Sequence, residues 1–419
     1  NGAFRLPMLN YFAGQTTARG NGASLATGVY DDYDFALRAG STSDYAKRFG
    51  IDQLNVTRKM FEHPSYDSYW QEQAVDKILG ARPLKVPTMH VVGRWDQEDI
   101  YGPYAAYAAT ERMDKNNDMN HLVVGPWRHS GVNYQGSTLG PLKFNGDTAA
   151  QFRRDVMQPF FDQHLRDGAP KANTAPVLSY RTGTDQWQKL DKWPLSNKMQ
   201  PVYLKPGFAL GQGKPAGGAQ FDEYVSDPAK PVPFVPRPVR MHDAAVWKPW
   251  LVSDQRSFSD RTDVLTYVSE PLTAPMQISG APVVNLFAST SGTDADWVVK
   301  LIDVYPDEVA VQPEMGGYQL GIAMDIFRGR YREGFDKPLA VTPDKVERYR
   351  FELPNADHVF LPGHRVMVQV QSSWFPLYER NPQTFVPNIF FAKPGDYRKA
   401  TQRIFHAPGM ESAIELPVY

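Results

Sequence analysis

Two short apolar runs, each followed by a polar turn, stand out in the hydrophobic pattern of the first half of the chain. The run 91–93 precedes a turn that contains Asp96, and the run 123–125 precedes a turn that contains His129. Uninterrupted β-branched runs of this kind are typical of buried parallel strands. Residues 100–116 carry apolar side chains at near-helical spacing between them. The pattern predicts a strand–Asp–helix–strand–His unit with both polar side chains at neighbouring strand ends.

The segments on either side of this unit are predicted to be helical. Residues 1–82 show no alternating strand pattern, and a short helix over 30–37 is expected to end at Gly40. Residues 149–167 carry apolar side chains at helical spacing, and Pro159 is expected to kink this helix or begin a new turn. We interpret it as the last element of an α/β core that spans 83–170.

The pattern changes in the C-terminal part, residues 171–419. Short alternating apolar segments recur between turn signals, for example at 282–288, 297–305 and 365–370. Many short strands separated by turns are typical of an all-β sandwich or jelly roll. The predicted fold class is therefore α/β plus all-β.

Composition narrows the functional classes. A length of 419 residues suggests two or three domains, and a net charge of −1 gives no electrostatic support for nucleic acid or an anionic membrane as a partner. No run has the apolar length of a membrane span, and no cysteine is present, so disulfides are excluded and the compartment is left open. No cluster has convincing metal-ligand spacing, so neither a metal nor a cofactor is predicted.

The order of Asp96 and His129 suggests a catalytic pair. An α/β-hydrolase triad runs Ser, then Asp or Glu, then His along the chain. The acid accepts the Nδ1 proton of the imidazole, which leaves the other nitrogen free to take a proton from a serine. No Gly-x-Ser-x-Gly string occurs in the 419 residues. The alternative for Asp96 is an ordinary turn residue at a strand end, and a lone histidine is often structural.

Two strings and the β-rich tail resemble a known family. Trp-Asp-Gln-Glu-Asp at 95–99 and Gly-Pro-Trp-Arg-His-Ser at 125–130 resemble the α-amino acid ester hydrolases. These enzymes belong to the wider family of cocaine esterase, glutaryl acylase and X-Pro dipeptidyl peptidase. The resemblance implies the C-terminal part of an α/β-hydrolase with a helical cap (1–82), followed by a jelly-roll β-sandwich domain (171–419).

The same resemblance assigns roles to four residues. Asp96 is expected to be the triad acid and His129 the general base, while Glu98 and Asp99 are expected to hold the α-ammonium of the substrate. Closely spaced carboxylates favour a cationic ligand because they raise one another's pKa. The alternative is that Glu98 and Asp99 only stabilise the positive end of the following helix. The family's nucleophilic serine and third carboxylate are expected before the start of this chain, which we interpret as a fragment or processed product.

The implied function is a serine hydrolase or acyltransferase that acts through an acyl-enzyme on α-amino acid esters and amides. A β-lactam nucleus is expected as one acyl acceptor, and α-amino β-lactam side chains are expected among the substrates. The resemblance also implies a periplasmic or secreted homo-oligomer without a cofactor. The isolated chain is expected to be inactive without the serine segment. A glutaryl acylase, a general carboxylesterase and an inert fragment that acts as a binding module are the alternatives.

Two charged groups in the C-terminal part have ordinary interpretations. Asp294 and Asp296 fall short of a calcium-loop signature and are predicted to lie in a turn. Arg328, Arg330 and Arg332 are predicted to form a solvated strand face or an interface, because net charge gives them no role in nucleic-acid binding.

Overall fold

The N-terminal part of the chain is helical in the computed structural model, which describes residues 1–16, 27–217 and 220–419. Its helices are α1 Leu6–Thr16, α2 Asp32–Ala39, α3 Thr42–Arg48, α4 Asn55–Glu62, α5 Ser68–Gln71 and α6 Val75–Leu79. The described residues of 1–82 contain no strand, which confirms the predicted helical content. The role of this region as a cap stays a prediction.

Helix α2 shows how local sequence sets the ends of these helices. Asp31 Oδ1 accepts a hydrogen bond from the backbone N–H of Tyr33 at 3.1 Å, which satisfies a donor that the first turn leaves free. Gly40 follows the last helical residue at φ 105°, a conformation that favours glycine. The predicted helix with Gly40 as its C-cap is therefore confirmed, with its start slightly later in the chain.

A four-stranded sheet follows the helical part. Its strands are β1 Thr88–Gly93, β2 Asn120–Gly125, β5 Val177–Arg181 and β6 Gln186–Leu190, in the order β1-β2-β5-β6. The first three are parallel, and β6 returns antiparallel to β5. Helix α7 Gly102–Glu111 connects β1 to β2, and a small hairpin of β3 Thr138–Leu139 and β4 Leu142–Lys143 follows. The predicted strand–helix–strand unit is confirmed.

The helix predicted over 149–167 is divided into α8 Thr148–Phe152, a π-helical turn Arg153–Met157 and α9 Gln158–Leu165. Pro159 lies in the first turn of α9, as expected from its missing N–H. The prediction that this helix ends the α/β core is wrong, because β5 pairs with β2 further along the chain. Four of the five residues of β5 are buried, so a short segment gives no alternating pattern to recognise. The domain boundaries after residues 82 and 170 stay predictions.

The rest of the described chain is rich in strands. They are β7 Met199–Lys205, β8 Ala209–Gly211, β9 Phe221–Ser226, β10 Leu265–Val268, β11 Met276–Gly280, β12 Val283–Thr290, β13 Asp296–Val304, β14 Gln319–Arg328, β15 Glu347–Glu352, β16 Ala356–Phe360, β17 Arg365–Gln371, β18 Ala400–Ala407, β19 Met410–Glu411 and β20 Ala413–Pro417. Most of them join one twelve-stranded sheet, with short helices α10 Ala244–Trp247 and α11 Arg256–Ser259 outside it. The β-rich character is confirmed, whereas the jelly roll stays a prediction. No helix among the described residues has the length and apolarity needed to cross a membrane.

Charged residues at the ends of β13 and β14 and in the neighbouring loops form buried ion pairs. Asp296 lies opposite Arg328 in the register of these strands and accepts two hydrogen bonds from its guanidinium, at 3.0 and 2.9 Å. Glu379 accepts a third at 2.6 Å. Arg330 pairs with Asp294 at 2.6 Å, and all five side chains are at most 6% exposed. The prediction of a solvated strand face is therefore wrong for Arg328 and Arg330, and Asp296 belongs to β13 rather than to a turn. Pairing across strands is not visible in a linear pattern.

Candidate active site

The register of β1 and β2 brings the two turns together. Gly93 lies opposite Gly125, so both strands end at the same level of the sheet. Beyond the strands, the N–H of Arg94 donates to the carbonyl of Gly125 at 2.8 Å, and the N–H of Trp95 donates to that of Trp127 at 3.1 Å. These bonds fix the backbone of one turn against the other. Asp96 and His129 are thereby brought side by side.

Close backbone approach explains why each strand ends in glycine. A Cβ on Gly93 would lie 2.3 Å from the carbonyl oxygen of Trp127, and a Cβ on Gly125 would lie 2.4 Å from its indole ring. Neither contact is possible without movement, because the first neighbour is backbone and the second ring is 3% exposed within the core. The two glycines therefore permit the turn contact on which the site depends.

Gly93→Ala is expected to destabilise the protein by about 1–3 kcal/mol, the range for overpacking a well-packed site. The added methyl group must displace the Trp127 carbonyl, and His129 lies two residues further along the same turn. Thermal or denaturant unfolding measures the effect. Gly102→Ala at the start of α7 is the matched control, because a Cβ there meets nothing within 4 Å. Equal unfolding free energies for the two variants would show that the turn contact is not tight.

Asp96 and His129 have the geometry of an oriented acid–base pair. His129 Nδ1 lies 3.1 and 3.2 Å from the two carboxylate oxygens of Asp96, whose side chain is 10% exposed. Asp96 Oδ1 also accepts the backbone N–H groups of Glu98 and Asp99, each at 2.8 Å. The backbone N–H of His129 donates to Gln97 Oε1 at 3.0 Å. With Nδ1 directed at the acid, Nε2 is left to accept a proton from another group.

Glu98 and Asp99, which we call the acidic pair, lie against the same imidazole ring. Glu98 Oε2 is 3.7 Å from His129 Nε2, and Asp99 Oδ2 is 3.4 Å from His129 Nδ1. Glu98 Oε1 accepts a hydrogen bond at 2.9 Å from the indole N–H of Trp247 in α10. Helix α7 begins only at Gly102, so neither carboxylate is in its first turn, where stabilisation of the helix end would be strongest. This placement weakens the alternative that the pair serves only the helix.

Three carboxylates in this small volume favour positive charge. Partial burial and the neighbouring Asp96 carboxylate raise the pKa of Asp99, while the His129 imidazole and the Arg5 guanidinium act in the opposite direction. A bound cation would lower the electrostatic cost of ionising all of them. Among the described residues, Asp96, Asp99 and His129 also form the one group whose potential metal-binding atoms lie within 4.8 Å of one another. The sequence did not predict that spacing, and the hydrogen bonds of Asp96 already use the same atoms.

A cavity of about 320 Å³ adjoins the pair. Asp96, Glu98 and Asp99 form one wall, and aromatic and aliphatic side chains from the β-rich part form much of the rest. The other lining residues that matter to the chemistry are Arg5, Tyr101, Trp250, Asp325, Trp374 and Tyr378. Tyr101 and Asn1 donate hydrogen bonds to Asp325, so this carboxylate of the cavity lining is satisfied by neutral donors. The linear pattern could not identify these residues, since they come from segments far apart in the chain.

Comparisons with known proteins place the chain in a family. A sequence model of the X-Pro dipeptidyl-peptidase S15 family matches residues 1–131, which include all four predicted site residues. A second model, described as the X-Pro dipeptidyl-peptidase C-terminal non-catalytic domain, matches residues 170–415. The first match covers the helical part with strands β1 and β2, and the second covers the strand-rich part from β5 onward.

Solved structures and a curated relative extend the comparison. The chain is 59% identical to an α-amino acid ester hydrolase labelled with selenomethionine, with a TM-score of 0.98, and 50% identical to an aminopeptidase from the marine sediment archaeon Thaumarchaeota archaeon, with a TM-score of 0.97. Each match covers 100% of this chain and 69% of the other. It is also 31% identical over 375 residues to the cocaine esterase of Rhodococcus sp. (strain MB1 Bresler). That match covers 87% of this chain and 61% of the esterase, so the chain spans less than two thirds of that relative.

Proposed function

Because this chain belongs to the X-Pro dipeptidyl-peptidase (S15) family of serine hydrolases, we propose that it forms part of an enzyme that hydrolyses α-amino acid esters and amides or transfers their acyl groups. It supplies His129 as the general base, Asp96 as the acid that orients it, and Glu98 and Asp99 as the site for the substrate's α-ammonium. The observation that carries the proposal is the contact of one imidazole with all three carboxylates, at 3.1, 3.4 and 3.7 Å.

We propose, as the family resemblance implies, that the nucleophilic serine comes from polypeptide upstream of these residues, and we call that polypeptide together with this chain the assembled hydrolase. Among the described residues, no serine hydroxyl lies within hydrogen-bonding distance of the His129 ring, where the mechanism requires one. In the assembled hydrolase, His129 Nε2 takes the serine proton as the oxygen attacks the substrate carbonyl. The protonated imidazole then donates to the departing alcohol or amine, which leaves an acyl-enzyme. Water, or an amine such as a β-lactam nucleus, attacks that acyl group and gives its proton to His129, which passes it to the serine oxygen as the bond between the acyl group and serine breaks.

The acidic pair determines which acyl groups bind. Coulomb attraction between a carboxylate and an ammonium strengthens in a cavity from which water is partly excluded. Trp247 restrains Glu98 by its 2.9 Å hydrogen bond, so one carboxylate is positioned before the substrate arrives. An anionic acyl group without an amine would be repelled by the same wall, which counts against a glutaryl acylase. A general carboxylesterase would gain nothing from the pair.

A double substitution tests the ammonium site. Glu98→Gln with Asp99→Asn is expected to raise KM for an α-amino ester about 10- to 100-fold, the effect of losing hydrogen bonds to a charged group. KM for the matching ester without the amine should change little, because that substrate makes no use of the charges. The measurement is a pair of steady-state titrations on the assembled hydrolase.

The control carries the same charge change at a distance from the cavity. Glu333→Gln with Asp336→Asn alters two exposed carboxylates and should leave both KM values unchanged. Equal increases in KM for the two esters in the Glu98/Asp99 variant would refute the ammonium role and favour the carboxylesterase.

An aminopeptidase is the second candidate. The peptide bond after an N-terminal residue is the amide of an α-amino acid, so the same ammonium site would position it. The 50% identity with an archaeal aminopeptidase favours this candidate. Parallel assays with an amino acid ester and a dipeptide amide separate the two, because an aminopeptidase cleaves the dipeptide amide with comparable kcat/KM.

A further inference from the structure

Arg5 lies in the wall of the candidate active-site cavity and makes no close ion pair with the carboxylates that line it. Its side chain is partly buried, and its Nε is buried with no hydrogen-bond partner. Among the described residues, no carboxylate lies within 4.0 Å of its guanidinium, whose Cζ stands 5.5 Å from the ring centroid of Tyr378. An ionic group in this state is costly, since it has lost part of its hydration without gaining an ion pair.

The backbone holds Arg5 firmly in this position. Arg5 forms an antiparallel bridge with Tyr378. On either side of it, the N–H of Leu6 donates to Leu377 at 3.1 Å, and that of Glu379 donates to Phe4 at 2.9 Å. The backbone of Arg5 is therefore held by strand-like hydrogen bonds, and its side chain extends from there to the cavity. A guanidinium that is held in place and makes no ion pair is suited to bind a planar anion through two parallel hydrogen bonds.

Two fully buried arginines of this protein pair with carboxylates of the chain, whereas Arg94 is buried with hydrogen bonds to Ser179 and to the carbonyl of Tyr180 and with no ion pair. Arg328 contacts two carboxylates and Arg330 contacts one, and each of those groups belongs to the chain. Asp325, which lines the same cavity, accepts hydrogen bonds from Asn1 and Tyr101. The chain thus satisfies its internal carboxylate by neutral donors and leaves the Arg5 charge available to a ligand.

We propose that Arg5 binds a carboxylate of the substrate, so that the cavity selects zwitterions whose ammonium lies at Glu98 and Asp99. The binding of the substrate's ammonium rests on the function proposed above, whereas the binding of its carboxylate rests on Arg5 alone. The carboxylate belongs either to the leaving group, as in a free dipeptide, or to the side chain of the acyl group, as in a glutamyl ester. A cavity of about 320 Å³ is within the range of small-molecule sites.

Binding measurements on the purified protein test the proposal without requiring catalysis. Isothermal calorimetry compares alanyl-alanine with alanyl-alaninamide, and glutamic acid α-methyl ester with glutamine methyl ester. In each pair only the carboxylate is changed. We expect the acid of one pair to bind at least about tenfold more tightly than its amide, and the pair that shows the difference identifies the source of the carboxylate. Equal affinities within both pairs would overturn the proposal.

Arg5→Gln tests whether this residue is responsible. The variant should abolish the preference for the acid by weakening acid binding alone, with the affinity for the amide retained. A parallel loss for acid and amide would mean that Arg5 only supports the fold or pairs with a carboxylate of the protein, and would overturn the proposal. If Arg5→Gln does not fold, Arg5→Lys keeps the charge but not the planar fork, and should retain part of the preference.

A third ligand separates this proposal from the proposed function. Propionyl-alanine carries the carboxylate but no amine. If it binds as tightly as alanyl-alanine while the preference for acid over amide persists, the ammonium site fails and the Arg5 site stands. If it binds weakly and the preference for the acid is absent, the ammonium site stands and the Arg5 site fails.

Discussion

Asp96→Asn is expected to lower kcat for α-amino ester hydrolysis about 10³- to 10⁴-fold in the assembled hydrolase. Asparagine is isosteric, and its side-chain oxygen can still accept the backbone N–H groups of Glu98 and Asp99 that Asp96 Oδ1 accepts at 2.8 Å. The turn should therefore keep its structure. The amide nitrogen cannot accept a hydrogen bond from His129 Nδ1. The neutral imidazole then carries its proton on Nε2, which can no longer take the serine proton. Steady-state kinetics beside a melting curve measures both consequences.

The chain contains a matched control for this substitution. Asp67 Oδ1 accepts the backbone N–H of Tyr69 at 3.0 Å, and its Oδ2 lies 2.7 Å from His63 Nδ1. The Asp67–His63 pair thus repeats the local arrangement of Asp96 and His129 outside the cavity. Asp67→Asn should leave kcat unchanged. An Asp96→Asn variant that folds and retains most of its activity would contradict the assignment of Asp96 as the orienting acid.

Arg328→Met is expected to lower the free energy of unfolding by about 3–5 kcal/mol. The substitution keeps much of the side-chain volume but leaves Asp296 and Glu379 without the cation that contacts both of them. Those carboxylates are 1% and 6% exposed, so water cannot replace the lost charge. Glu379 also accepts a hydrogen bond from Thr42 in α3, and the loss should therefore loosen the helical part as well. Denaturant unfolding followed by circular dichroism measures the change.

A surface pair on the same sheet provides the comparison. Arg350 contacts Glu415 at 2.7 Å, but its side chain is 48% exposed, and Arg350→Met should cost at most about 1 kcal/mol. Adding Asp296→Asn and Glu379→Gln to Arg328→Met should recover much of the lost stability, because the buried negative charges are then removed. Similar costs for the two single variants would show that burial does not govern the strength of these ion pairs.

The sequence predicted the parts of the site that depend on local pattern. An apolar run followed by a turn predicts a strand end, and two parallel strands in register necessarily place their ends together. Asp96 and His129 were therefore expected to be neighbours, and they are. Glu98 and Asp99 follow within the same turn, so their position near the imidazole was fixed once that turn was identified.

The remaining features depend on contacts between distant segments. Trp247 reaches Glu98 from a short helix 149 residues further along the chain, and Arg5 enters the cavity beside Tyr378. A tryptophan or an arginine in a linear sequence carries no sign of the partner that it will meet. The same reason explains the wrong prediction for Arg328, since an arginine in a strand looks solvated until the Asp296 that lies opposite it is known.

The most direct test of the account is the reaction of the assembled hydrolase with a fluorophosphonate, followed by intact mass spectrometry. Such a probe modifies a serine that a neighbouring imidazole activates. We predict one serine adduct per polypeptide, formed at least about 100-fold more slowly in His129→Ala because the general base is lost. An adduct that forms equally fast without His129 would contradict its role as the base. If no polypeptide of the assembled hydrolase forms an adduct, the proposed hydrolase function is contradicted. The alternative, an inert fragment that acts as a binding module, is then favoured.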